Sequence, residues 1–336
     1  MRIVFHVGMG KTGTSSIQRV LSAHQNELAA QKALYLGMWF DKVAPRFRGH
    51  EGLTAFAAEP AGAQAGHAAT FFEACARENR QNGTETFILS NEGLFGHAIS
   101  LEPFFKALMD KADVRILAYV RPPRDWLPSA FTQWNLYHKQ QSGPIQPFRE
   151  RARQLIAQYG GVGLWIDRFG DRLILRRFDK SVDIVADFAG AVGISLPPVR
   201  ERQLERREPA EVVLRALFNN RFDAPTLPER FDRLILNTNR VSVQSLKEVI
   251  EICFAFEQMD EIIAEKRRIF DDIERRTGIA LADAPADDGK AVDPAAIRER
   301  VLDYLVTIMM EQSGRLQRVE RRLNELEEKL SALAGG

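Results

Sequence analysis

Lys11 stands inside a glycine-rich run, Gly8-Met9-Gly10-Lys11-Thr12-Gly13, and three hydroxyl residues, Thr14, Ser15 and Ser16, follow at once. These types in this order suit the binding of an anion. Glycines let the backbone come close to a phosphate-sized group. A helix that starts at Thr14 leaves its first amides without carbonyl partners and carries the positive end of its dipole there. Lys11 adds a full charge, and Thr12, Thr14, Ser15 and Ser16 add hydroxyl donors. The run comes close to the nucleotide-triphosphatase loop, G-x-x-x-x-G-K-[ST], and departs from it in one respect. Gly8 and Gly13 have that loop's separation, but Thr14 takes the lysine position and Lys11 comes ahead of the second glycine. A lysine inside the turn points to a shorter phosphate chain and does not require a magnesium-bound triphosphate.

A second cation, Arg121, ends the most apolar run of the chain, Val114-Arg115-Ile116-Leu117-Ala118-Tyr119-Val120. Its guanidinium offers a planar fork to a dianion. Ser129 lies eight positions later, in a helix expected to begin near Asp125, and its hydroxyl can complete the shell. Pro128 inside that helix suggests a start close to the proline itself. Glu92 closely follows another apolar run, Thr86-Phe87-Ile88-Leu89, so it is expected to face the same crevice. A carboxylate there can take the proton from an attacking hydroxyl, and His97 nearby is the rival base. His6, His24, His50, His67 and His138 form no pattern of their own, and His6 suits packing beneath the loop.

These groups need elements to carry them. Ile3 to Val7 reads as a short buried strand, and apolar Ile17, Val20, Leu21 and Leu28 give a helix from about Thr14 to Gln31. Residues 37–69 have weak periodicity and read as loop with some short helix, a candidate lid facing a substrate. Helices are expected at Ala69–Asn79, Glu102–Lys111 and Val182–Val192, and a fourth strand at Leu173-Ile174-Leu175. Strands that are continuous apolar runs, alternating with helices, indicate a parallel sheet covered on both faces. Ligands of such sheets sit at the carboxyl ends of the strands, where Lys11, Glu92 and Arg121 all fall. The fold class is therefore α/β over residues 1–205. A helical extension over 206–281 follows, with one long helix from Val243 to Thr277, then a linker at 282–293 and a final helix from Pro294.

The run His6-Val7-Gly8-Met9-Gly10-Lys11-Thr12-Gly13-Thr14-Ser15-Ser16 resembles the 5′-phosphosulfate loop of sulfotransferases, whose core reads P-K-[ST]-G-T-[TS]. Gly10 replaces the usual proline. The segment from Val120 to Phe131 resembles the family's second motif, an arginine at a strand end with a serine eight residues on. The resemblance implies a P-loop-type fold and 3′-phosphoadenosine 5′-phosphosulfate as co-substrate, with no metal. Gly10, Lys11, Thr12, Gly13, Thr14 and Ser15 would hold the 5′-phosphosulfate, and Arg121 and Ser129 the 3′-phosphate. Lys11 would also contact the bridging oxygen to the sulfuryl group. Carbohydrate-type members place a glutamate base where Ser90-Asn91-Glu92 stands here, whereas small-molecule members use a histidine. The segment Trp165–Asp179, ending in the aromatic–acidic pair Phe178-Asp179, resembles the bacterial carbohydrate-type group. The resemblance covers residues 1 to 195 and implies a glycan or glycolipid acceptor with a hydroxyl or amine. A P-loop kinase and a non-catalytic oligomeric scaffold are the alternatives; the displaced lysine disfavours the first and the retained site residues the second.

The formal net charge of +1 argues against a nucleic-acid partner, so any anion site must be local. Cys75 and Cys253 have no metal-type spacing and read as reduced, buried thiols. No signal peptide and no membrane-spanning run is apparent, so the expected location is the cytoplasm. In the final helix Leu302, Met309, Leu316, Leu323 and Leu330 recur every seven residues. Leu305, Gln312, Val319, Leu326 and Leu333 fall three residues after each. That is the seam of a parallel coiled coil, and it implies a homo-oligomer.

Overall fold

The computed structural model describes residues 1–197, 209–220, 222–234, 246–282 and 293–334. Its centre is a five-stranded sheet: β1 (Arg2–His6), β2 (Ala33–Gly37), β3 (Thr86–Ser90), β4 (Asp113–Val120) and β5 (Leu173–Arg177). All neighbours are parallel, in the order β2-β3-β1-β4-β5. The chain runs to one side of β1 for β2 and β3 and to the other for β4 and β5. The strand order thus reverses around β1, where a parallel sheet opens its crevice.

Alternate side chains of β1 serve two cores. Val4 joins Ile17, Val20 and Leu21 of the first helix (Thr14–Ala23) and Val185, Phe188 and Val192 of the helix Ile184–Val192. Ile3 and Phe5 face the opposite way, towards an aromatic cluster. Phe5 meets Phe104 edge-on at 6.1 Å and Phe105 at 5.0 Å, and Phe40 and Phe56 each meet Phe104 at 5.2 Å. Both faces being buried, the strands need no polar alternation, which is why they read as continuous apolar runs.

The described residues form two compact units. The first holds the sheet and takes in residues 1–130, 152–197 and 258–282. In it Arg276 pairs with Asp167 at 2.5 Å, and Phe270 lies 5.0 Å from Tyr159. The second includes residues 131–151 and the helices Pro209–Asn219, Pro228–Leu234, Leu246–Phe254 and Pro294–Ala334. There the buried Lys139 donates to the carbonyls of Asn219 and Phe222, at the carboxyl end of the helix Pro209–Asn219, where a cation meets the negative end of the dipole.

Several elements differ from the sequence reading. The helix expected from Thr14 to Gln31 breaks at His24 into Thr14–Ala23 and Gln25–Ala30, and Leu28, at helical spacing beyond the break, disguises it. Left-handed Lys32 (φ 56°) then turns the chain into β2, an edge strand that the sequence reading lacks. Residues 37–69 hold the helix Gly49–Ala57 and the start of a helix Ala61–Asn82. The helix after β4 begins at Pro123 rather than near Pro128 and runs to Phe131, continuing into a π-turn at Thr132–Tyr137. Pro123 has no amide to lose at a helix start. The long helix expected from Val243 to Thr277 is three: Leu246–Phe254, Met259–Ala264 and Arg267–Thr277. Its apolar residues belong to two cores, Val249, Ile250 and Cys253 to the second unit and Ile262, Phe270 and Ile273 to the first. The expected linker lies, except for its two ends, outside the described residues.

The aromatic cluster yields a stability prediction. Phe104 is wholly buried among five other phenylalanines. Phe104→Ala should lower the unfolding free energy by about 3–5 kcal/mol in a denaturant titration. A loss under about 1 kcal/mol would mean that the cluster does not pack as described.

Candidate active site

The loop that leaves β1 continues along β4. Val7 N–H donates to Leu117 O at 2.9 Å and Met9 N–H to Tyr119 O at 3.3 Å. The chain then turns through two left-handed residues, Lys11 (φ 67°) and Gly13 (φ 86°). Glycine adopts this backbone freely and lysine does not. A Cβ on Gly13 would also come within 3.0 Å of Ile184 and 3.4 Å of Phe178. The turn is pinned from several sides. Thr12 Oγ1 donates to Met9 O at 2.5 Å, Trp126 Nε1 to Gly10 O at 2.8 Å, and Arg121 Nη1 to Lys11 O at 3.2 Å.

Such a turn leaves donors over. The amides of Thr12, Gly13, Thr14 and Ser15 make no hydrogen bond among the described residues. Thr14 is buried, and its Oγ1 has no partner there. Buried polar groups nearly always find a partner. Donors gathered at a helix start with left-handed residues beside them fit an anion.

Arg121 follows β4 directly and is itself buried. Its guanidinium lies 5.3 Å over the ring of Phe178, the residue after β5, and its carbonyl accepts from the hydroxyl of Tyr159. Ser129 is half-buried on the helix Pro123–Phe131, and no hydrogen bond ties it to the loop among the described residues. Arg124, in the same motif, pairs with Asp260.

On the other side of β1, the three residues Ser90-Asn91-Glu92 each make a different connection. Ser90 Oγ lies 2.8 Å from His6 Nδ1. Asn91 donates to Met38 O at 2.9 Å and accepts from Gly93 N–H at 2.9 Å. Glu92 Oε2 accepts from Gln18 Nε2 at 3.1 Å, and the same amide reaches Ser90 O at 2.9 Å. Gln18 lies on the first helix, so the helix that begins at the loop also holds the carboxylate. His97 closes the 3-10 turn Glu92–His97, with Nδ1 3.1 Å from Ser100 Oγ, and burial lowers its pKa.

Beside this group lies a cleft of about 510 Å³, lined in part by Ser15, Gln18, Tyr35, Trp39, Asp41 and Arg48. Burial, with the Glu92 charge second, pushes the Tyr35 phenol up to about 12, so it stays protonated and able to donate. Gln18 and Tyr35 had no role in the sequence reading, and Trp39 only as part of the candidate lid 37–69. Tyr35 and Trp39 stand on or just after the unforeseen β2, and Gln18 sits on a helix face that periodicity cannot tell from solvent. Trp126 and Tyr159 also went unseen as supports, although Trp126 stands inside a recognised motif.

Lys11, Thr12, Gly13, Thr14 and Arg121 therefore come together around one turn, with Glu92 held across the first helix. Among the described residues there is no group of three or more His, Cys, Asp or Glu able to hold a metal ion, and no helix is long and apolar enough to cross a membrane.

No family model matches the chain, and no curated protein matches it. Among solved structures it is similar to the sulfotransferase domain from the Synechococcus PCC 7002 olefin synthase, with 14% identity and a TM-score of 0.34 over 76% of this chain and 94% of that one. It is also similar to the sulfotransferase domain from the curacin biosynthetic pathway, with 9% identity and a TM-score of 0.33 over 76% of this chain and 98% of that one.

His6, beneath the loop, gives a pH dependence. Complete burial lowers its pKa from 6.5 to about 3. Below pH 6.5 the unfolded chain takes up a proton that the folded chain refuses. Stability from this group is full above that value and falls as the pH drops towards 3, by at most about 1.4 kcal/mol per unit. Denaturation series at pH 7 and pH 5 should show a smaller loss in His6→Asn than in the unsubstituted chain. Equal losses would show that His6 is not held neutral.

Proposed function

We propose that this chain is a sulfotransferase that binds 3′-phosphoadenosine 5′-phosphosulfate and moves its sulfuryl group to a hydroxyl of a glycan or glycolipid. The observation that carries the reading is the buried Thr14 hydroxyl without a partner among the described residues, in a turn whose neighbouring amides are also unsatisfied. An anionic group of phosphate size matches those donors. Arg121 bonds the same turn, so a second anion can be read close to the first. A nucleotide with phosphates on both its 5′ and 3′ positions meets both demands.

In this reading the loop from Gly10 to Ser15 holds the 5′-phosphosulfate, and Arg121 with Ser129 holds the 3′-phosphate. The acceptor oxygen forms a bond to sulfur as the bond from sulfur to the bridging phosphate oxygen breaks. Glu92 takes the hydroxyl proton, and Gln18 holds its carboxylate in place. Lys11 neutralises the charge that grows on the departing oxygen, and 3′,5′-bisphosphoadenosine leaves. The cleft supports a sugar acceptor, since Trp39 offers an aromatic face and Gln18, Asp41 and Arg48 offer groups for ring hydroxyls.

The nucleotide is tested by calorimetry. The chain should bind 3′,5′-bisphosphoadenosine at least ten-fold more tightly than 5′-AMP or ATP, and Arg121→Ala should erase most of that preference. No preference in the unsubstituted chain would remove the 3′-phosphate from the reading. The chemistry is tested by transfer of labelled sulfate to a panel of polysaccharides and glycolipids. Lys11→Ala and Glu92→Gln should each lower turnover by about 10²–10³-fold, with Glu92→Gln leaving donor affinity unchanged. Full turnover in a folded Lys11→Ala chain would sink the assignment.

A further inference from the structure

The final helix, Pro294–Ala334, is 41 residues long, ~60 Å at 1.5 Å per residue. Among the described residues, only its first turns are covered by the chain's own residues. Ile297 and Val301 are 4% and 2% exposed, Tyr304 and Ile308 are half-buried, and this face packs against the helix Pro209–Asn219 of the same unit. The heptad seam lies on a different face and is open. Leu302, Met309, Leu316 and Leu323 are 60%, 70%, 61% and 51% exposed, and Val319 and Leu326 are 56% and 54%. The side chains of Leu330 and Leu333, which continue the seam in the sequence, lie outside the described residues.

A stripe of large apolar residues repeating every three and four positions is uncommon on a surface that meets only water. Its spacing is that of a coiled coil, with Leu302 at position a and Leu305 at d. The intrachain contact uses the c and g positions of the first heptads, Ile297, Val301, Tyr304 and Ile308, and leaves the a and d side chains Leu302, Leu305 and Met309 exposed.

We propose that this stripe docks against the same stripe of a second copy of the chain, in a parallel, in-register two-stranded coiled coil. The flanking charges select this partner. In the sequence Arg315 and Arg322 fall at g, and Glu320 and Glu327 at e, five residues after each; the side chain of Glu327 lies outside the described residues. In a parallel self-pair, g of one helix faces the following e of the other, so Arg315 meets Glu320 and Arg322 meets Glu327 on both flanks. An antiparallel self-pair sets arginine by arginine and glutamate by glutamate. Each contact is small, but all four change sign between the two orientations. Gln312 at d, the one polar seam position, satisfies its amide best against its own twin and so fixes the register.

Light scattering of the full chain should give a particle of twice 38.0 kDa. Leu316→Glu combined with Leu323→Glu should halve that mass and leave the thermal unfolding of the monomeric unit unchanged, because both side chains are exposed in the single chain. A 38.0 kDa particle for the unsubstituted chain, or an unchanged mass for the double variant, overturns the proposal. Orientation is read from Leu326→Cys, because a cysteine at d meets its twin only in a parallel, in-register pair and Cys75 and Cys253 are buried. Mild oxidation should give a covalent dimer on a non-reducing gel, and its absence overturns the parallel register.

Discussion

Left-handed backbone at Lys11 is the constraint on which the loop depends. A side chain in that region costs on the order of 1 kcal/mol or more, and it persists only where neighbours hold it. Those neighbours come mainly from β4 and the helix after it. Tyr119 takes the Met9 amide, Arg121 takes the Lys11 carbonyl, and Trp126 takes the Gly10 carbonyl. The loop is thus an attachment to β4 as much as an outgrowth of β1. The pairing of those two strands, with His6 level with Leu117, sets where Lys11 can be.

The other neighbour of β1 does the complementary work. His6 is level with Ser90, and the residues after Ser90 reach out to β2's following loop and to the first helix. Gln18 matters most here, because one amide binds both a strand-end carbonyl and the Glu92 carboxylate. A rigid-body shift of the first helix would carry the loop amides and the carboxylate together.

The ends of β1, β3 and β4 were legible in the sequence because both faces of the sheet are apolar, so each of these strands is an apolar run that stops shortly before a candidate site residue. Lys11, Glu92 and Arg121 could be placed from that alone. β2 was not legible. It is a short edge strand behind a helix whose break Leu28 conceals, and with it went the part of the cleft wall formed by Tyr35. The breaks between Phe254 and Arg267 were hidden for a related reason. Apolar spacing reports that a residue is buried and does not say in which core. The supports of the loop were hidden because Trp126 and Tyr159 act through one polar atom each on otherwise buried rings, and a sequence shows only the ring.

Phe178 has a position whose meaning emerges only from both sides of its ring. One edge lies at van der Waals distance from where a side chain at Gly13 would stand, beside the closer Ile184, and the Arg121 guanidinium lies over its face. The glycine turn and the strand-end arginine therefore both border one aromatic ring. That hydrocarbon ring does not titrate and does not respond to salt. On the proposed reading, in which the turn and the arginine each hold a negative group, packing against this ring would help fix their span at ionic strengths that weaken the affinity itself.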